Sequence, residues 1–251
     1  MIEGFHCPEG DVTFEHCSNC KRECRPRPYL DWLIDNNKDR RNLLSPSMIW
    51  NCPRSVLLNQ YTDYYVTPDS RYWMFYGTVV HSIMEQWKVE GIREKRINFK
   101  LGRFELSGCP DCLISCEGGY ELIDFKTTNT VYRRKDSDEI EMKYLLKPEY
   151  EGQLAVYAHG LAQNGIKVVR AKLYYFARSS KSYIPCVTVP VEIKPAMVEE
   201  AIQRCEFIQS HFDNKTLPPY QDCQKEFNWK CKLYCEVNQF CWEDASQKGE
   251  L

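Results

Sequence analysis

Two short runs rich in apolar residues flank a Gly-Gly turn in Ser107–Lys126, SGCPDCLISCEGGYELIDFK, which reads as two short strands. On the second strand Asp124 and Lys126 point one way, and Ile123 and Phe125 point the other. An even-length loop at Glu117-Gly118 sets Asp111 directly opposite Asp124, with Cβ atoms roughly 5 Å apart. An odd-length loop puts Asp111 on the wrong face.

The rest of the pattern surrounds this pair with helices and further strands. Leu30 to Asn37 can begin a helix. Ser45-Pro46-Ser47 reads as a helix start, with Ser45 as N-cap, running through Met48, Ile49, Cys52 and Val56 to Leu57 and kinked at Pro53. A helix over Tyr76–Glu90 carries His81 and Glu85 on one face. Strands at about Asn98–Leu106 are expected to form a meander with the central pair, and Thr130–Pro148, polar and charged, is expected as a mobile connection over the site. Apolar spacing at Tyr150, Leu154, Tyr157, Ala158 and Leu161 predicts a helix with Gln153 and Tyr157 on one edge. Ala171–Ala177 and Tyr183–Ile193 read as strands and Pro195–Phe212 as a helix. This order predicts an α/β (α+β) fold, a mixed central sheet with flanking helices, and no internal repeat.

The facing carboxylates carry the chemistry. They repel unless a cation sits between them, so a divalent metal is expected on Asp111 and Asp124, while His81 taken alone reads as a structural histidine. Oxygen ligands suit Mg or Mn, and an imidazole shifts the preference toward Mn. Lys126 can orient a water or neutralise charge on a phosphate. The plainer alternative makes Asp111 a turn cap and Asp124–Lys126 a simple salt bridge.

At 251 residues the chain suits one large domain with a small appendage, and 43% hydrophobic content allows a core. Thirty-three Lys and Arg against 35 Asp and Glu leave a net charge of −2, which excludes a protein held on nucleic acid by overall charge. A local patch must serve, and Arg133-Arg134-Lys135, soon after the central strands, is the expected phosphate contact. Tyr61, Tyr64, Tyr65, Tyr72, Trp73 and Tyr76 can stack exposed bases or serve as core and rim. No run of 18 apolar residues occurs and MIEGFHCPEG lacks an apolar core, so a cytoplasmic protein with no membrane partner is expected.

Fourteen cysteines without a secretion signal point to metal binding rather than disulfides. Residues 1–28 hold Cys7, Cys17, Cys20 and Cys24 near zinc-knuckle spacing, with His6 and His16 as adjacent substitutes; they are expected as a zinc-bound module ahead of a main domain over 29–251. Cys109, Cys112 and Cys116 do not share a strand face and read as small apolar residues.

A glycine closely followed by Asp111, then IDFKT, resembles the PD-(D/E)XK nuclease core. Gly77-x-x-x-His81 upstream and Gln153-x-x-x-Tyr157 downstream fall in the order of its RecB-like branch, and the resemblance spans about Ser45 to Trp242. It implies a restriction-endonuclease-like fold, catalytic roles for His81, Asp111, Asp124, Lys126, Gln153 and Tyr157, and the Phe125 carbonyl and His81 as further ligands of the Mg or Mn on Asp111 and Asp124. The implied activity is a metal-dependent exonuclease on single-stranded DNA ends. Its setting would be CRISPR spacer acquisition, or phage or bacterial recombination and repair, beside an integrase or a recombination or helicase partner in a prokaryotic or phage-infected cell. Cys52 with Cys231, Cys235 and Cys241 resembles the iron–sulfur clasp of RecB-like nucleases of the AddB and CRISPR-associated kinds, implying a 4Fe–4S cluster that closes the main domain. The Cys231-x3-Cys235 gap is one residue longer than that pattern, Cys223 can replace Cys52, and zinc on the same thiols is the competing reading. The alternative function is a catalytically silent, nuclease-like DNA-binding or assembly module.

Overall fold

The computed structural model describes all residues except 1, 9, 23, 38–43, 88–89, 94, 133–138, 179–183, 224–230, 232–233 and 250–251. Along the chain run β1 (Ile2–Cys7), β2 (Gly10–Thr13), α1 (Phe14–Asn19), α2 (Arg27–Asp35), α3 (Pro53–Tyr61), β3 (Tyr64–Val66) and α4 (Tyr72–Met84). There follow β4 (Gly91–Arg93), β5 (Ile97–Leu101), β6 (Phe104–Gly108), β7 (Cys112–Cys116), β8 (Gly119–Thr128) and α5 (Pro148–Gln163). The last elements are β9 (Val168–Ala177), β10 (Cys186–Val191), α6 (Pro195–Asp213) and α7 (Asn238–Gln247). They fall into two compact units, one of Leu44–Trp50 and Gly77–Glu206, the other of Met1–Leu43, Asn51–Tyr76 and Phe207–Leu251.

The first of these units is the expected mixed α/β arrangement. Its five-stranded sheet has the order β10-β9-β8-β7-β4, with β8 and β9 parallel and the remaining pairs antiparallel. Two parallel neighbours need a long crossover, and α5 lies within it. Leu122 on β8, Leu154 on α5 and Leu173 on β9 are fully buried in one core, each contributing about 1.5–3 kcal/mol. On the other face of β8, Ile123 and Phe125 pack with Cys112, Met84, Tyr174 and Phe176. Gly152 is what lets α5 close on the core, since a Cβ there would lie 2.2 Å from the Trp50 ring.

Several elements differ from expectation for local reasons. The strands expected over Asn98–Leu106 form a hairpin of their own, β5 against β6, turned at Gly102 with φ +57°, and lie in a sheet separate from β7 and β8 rather than in a meander with them. The helix expected from Ser45 to Leu57 is a 3-10 turn at Met48–Trp50 followed by the separate α3. Proline has no N–H to lose at the first helical position, so Pro53 starts a helix rather than kinking one. Ser45 still accepts a hydrogen bond from the Met48 N–H at 3.3 Å. Helix α4 begins four residues earlier than Tyr76 and stops at Met84, leaving Glu85 in the turn that follows. In the polar stretch Thr130–Pro148, Val131 and Leu145 are buried and the Tyr175 hydroxyl donates to the Leu145 carbonyl, while Tyr132 and Tyr144 are exposed.

The second unit has a three-stranded sheet in the order β2-β1-β3, with β1 and β3 parallel. Phe5, Cys17, Leu30, Leu33, Leu58, Tyr64, Val66, Val237, Cys241 and Ala245 share its core. The expected boundary at residue 28 falls inside this unit. Among the described residues no helix is long and apolar enough to cross a membrane.

Candidate active site

Strands β7 and β8 join through a two-residue turn at Glu117-Gly118, where Gly118 takes φ +82°, and Cys112 faces Ile123. Continued by one residue, that register sets Asp111, just before β7, opposite Asp124. The loop is therefore of the even length that the carboxylate pair requires. Asp111 Oδ2 accepts the Phe125 N–H at 2.7 Å, which docks the aspartate against the neighbouring strand.

From α4, His81 Nε2 lies 3.1 Å from the Phe125 carbonyl oxygen, and Nδ1 lies 3.6 Å from Asp111 Oδ1. A carbonyl can only accept, so Nε2 carries the proton. Burial pushes the His81 pKa below its ordinary value, against the pull of Asp124. A neutral ring then turns the lone pair of Nδ1 toward a carboxylate, an arrangement that a cation would relieve.

Asp124 is 3% exposed, and its Oδ2 lies 2.6 Å from Lys126 Nζ. The contact is an ion pair poorly angled for a hydrogen bond, and Oδ2 is among the buried oxygens without a well-formed one. Lys126 Nζ also donates to Gln153 Oε1 at 3.1 Å and stands 4.9 Å from the centre of the Tyr150 ring. Burial works against the Lys126 ammonium, but the Asp124 and Asp111 carboxylates outweigh it and hold its pKa above the ordinary lysine value. Tyr157 donates to the Cys109 carbonyl at 3.3 Å and so pins the segment that leads into Asp111.

His81, Asp111, Asp124, Phe125, Lys126, Gln153 and Tyr157 thus meet in one place. Tyr150 joins them against the Lys126 ammonium, and the sequence signal for it is its position three residues before Gln153, on the same side of α5. The donor set fits a divalent cation: two carboxylates, a carbonyl and an imidazole, with a buried carboxylate oxygen short of a hydrogen bond. Among the described residues no three His, Cys, Asp or Glu side chains converge as a ready metal cage. At Asp124 the positive charge is that of Lys126. Arg133, Arg134 and Lys135 lie outside the described residues.

Of the cysteines at and before β7, Cys112 is buried as expected, while Cys109 and Cys116 are half-buried. Cys52 hydrogen-bonds with both Cys223 and Cys231; the Cys223 contact, with burial adding, pushes its thiol up to about 12. Cys235 and Cys231 interact electrostatically with Cys241. At the other end burial pushes the Cys17 thiol up, against the Arg27 guanidinium, with smaller contributions from Cys24, Cys20 and Cys7. Among the aromatic candidates Tyr64 is buried and Tyr61 stacks on Phe212. Tyr65 and Trp73 line a cleft of about 440 Å³ together with His6, Asp69 and Tyr234.

The model of the PD-(D/E)XK nuclease superfamily matches residues 70–242, most of the chain. Among solved structures, that of SSO0001 is similar over 85% of this chain and 92% of its own, with a TM-score of 0.51 at 18% identity, which is a likeness of fold. A provisionally assigned exonuclease from Eubacterium rectale matches over 60% of this chain and 54% of its own, with a TM-score of 0.35 at 12% identity, and that likeness shows nothing further. No curated protein matches the sequence.

Proposed function

The chain belongs to the PD-(D/E)XK nuclease superfamily, and from that premise we propose that it is a metal-dependent DNA nuclease, an exonuclease on single-stranded ends. The observation that carries this reading is the Asp111–Asp124 pair facing across the β7–β8 register, with Lys126 on the same strand held by Gln153. Asp111, Asp124, the Phe125 carbonyl and His81 would hold Mg or Mn. That ion, when bound, polarises a phosphodiester oxygen and makes its water more acidic.

The chain's own groups do the positioning. Asp111, docked by the Phe125 N–H, and Asp124, on a central strand, are fixed before substrate arrives. The Lys126 ammonium offsets charge building on the phosphate and orients the attacking water. Gln153 fixes that ammonium from α5, and Tyr157 holds the approach to Asp111. Arg133, Arg134 and Lys135 are proposed to contact the DNA backbone.

The cysteines are proposed to staple the chain. Cys52, Cys231, Cys235 and Cys241 would hold a 4Fe–4S cluster, with Cys223 as the alternative to Cys52. Thiol contacts from Cys52 to Cys223 and Cys231 support a shared site, and four thiolates are what such a cluster needs. Cys7, Cys17, Cys20 and Cys24 would hold zinc, marking residues 1–28 as a metal-bound piece ahead of 29–251. The biological setting proposed is CRISPR spacer acquisition, or phage or bacterial recombination, with an integrase or helicase partner in the cytoplasm of a prokaryotic or infected cell.

The test is degradation of 5′- and 3′-labelled single-stranded DNA in Mn, with and without chelator, beside Asp124→Ala. Shortening that needs metal and disappears in the variant supports the reading. DNA that is bound yet never shortened by the well-folded, metal-loaded protein would replace it with the silent binding module.

A further inference from the structure

Arg54 is fully buried in the first turn of α3, two residues after Cys52. Its Nη1 donates to the Pro218 carbonyl at 2.5 Å, and Nη2 donates to the Asp244 carboxylate at 2.6 Å and the Cys241 carbonyl at 3.2 Å. Its Nε donates to Cys241 Sγ at 3.0 Å. Beside a carboxylate, a guanidinium commonly forms two parallel N–H bonds to its oxygens. Here a single nitrogen serves Asp244, and the Nε–H goes to a sulfur instead. A neutral thiol is a weak acceptor. A buried cation aimed at sulfur at this distance is well spent only if the sulfur carries negative charge, as a metal-bound thiolate does.

We infer that Arg54 is a positioning residue for a thiolate metal site, orienting Cys241 Sγ as a ligand and offsetting the negative charge of the cysteine set. The inference rests on the iron–sulfur reading of Cys52, Cys231, Cys235 and Cys241. Arg54 ties the start of α3, where Cys52 stands, to α7, where Cys241 stands, so one side chain fixes the two ends of the clasp. Outer-shell donors of this kind hold ligands in place and tune the metal, and hydrogen bonds to cluster sulfurs help set the reduction potential.

The experiment compares anaerobically purified wild type, Arg54→Lys and Asp244→Asn for iron and sulfide content, loss of the visible cluster band to a chelator, and midpoint potential. Lysine keeps the charge but lacks the planar fork. Arg54→Lys is expected to lose its cluster about tenfold faster than wild type and to titrate at a lower potential. Asp244→Asn leaves the Nε–H on the sulfur and is expected to keep the wild-type potential. Iron-loaded Arg54→Lys with unchanged retention and potential, or the two variants shifting alike, would overturn the inference and leave Arg54 a structural ion pair. Wild type holding neither iron nor sulfide would overturn the iron–sulfur reading and this inference with it. If Arg54→Lys does not fold, wild type alone decides: its Fe–S stretching bands must shift on exchange into D2O, and bands that do not move sink the proposal.

Discussion

Lys126 on β8 reaches Gln153 on α5 at 3.1 Å across 27 residues of sequence. That bond ties the crossover helix to the strand that carries Asp124, so α5 aims the ammonium as well as covering the sheet. Gln153→Ala is expected to lower the cleavage rate by about 10²-fold, the order that a small misplacement of a catalytic group costs. Thermal stability should stay near wild type, because Gln153 is only half-buried. A single-turnover assay beside a melting curve checks both.

Asp124 and Lys126 are a buried pair, and removing one charge strands the other. Asp124→Asn is expected to abolish cleavage and to cost about 3 kcal/mol of stability. The double variant Asp124→Asn with Lys126→Met should recover much of that stability and none of the activity. Denaturant unfolding of the three proteins decides; equal midpoints in the single and double variants would contradict the pairing.

Because Asp111 faces Asp124, a divalent cation should stabilise the folded chain by mass action, by about 2.7 kcal/mol at a hundredfold excess over its dissociation constant. Mn is expected to raise the melting temperature of protein purified free of divalent metal. Chelator should reverse the rise and Asp111→Ala should remove it. A rise that survives in Asp111→Ala would place the ion elsewhere.

Gly152→Ala drives a methyl into the Trp50 ring, which is held in the core and cannot swing away freely. Overpacking of this kind costs about 1–3 kcal/mol. An unchanged unfolding midpoint would show that Trp50 yields.

Burial raises the Asp244 carboxyl, but hydrogen bonds from Lys248 and Arg54 outweigh it and hold its pKa below the ordinary carboxylate range. A depressed folded pKa means stability that is fully present above the unfolded value and lost as pH falls through the folded one. The stability gap between wild type and Asp244→Asn should therefore be widest near neutral pH and close below about pH 4. Urea melts across that range check the sign; a gap that widens in acid would be the wrong direction.

The β7–β8 hairpin was legible because its information is local. A two-residue turn and a period-two pattern fix which residues share a face, so the opposition of Asp111 and Asp124 follows from counting. The motif order placed His81, Gln153 and Tyr157 on the helices that reach the same spot. Local signals misled where one residue type serves two ends: Pro53 reads as a kink but starts α3. Tertiary structure alone decided the rest. That β8 lies parallel beside β9, that Tyr150 faces the Lys126 ammonium, and that Arg54 spends its Nε–H on Cys241 Sγ each depend on packing between segments far apart in sequence. A linear pattern records which faces are apolar; which distant partner covers each of them is settled only when burial and hydrogen bonding are satisfied together.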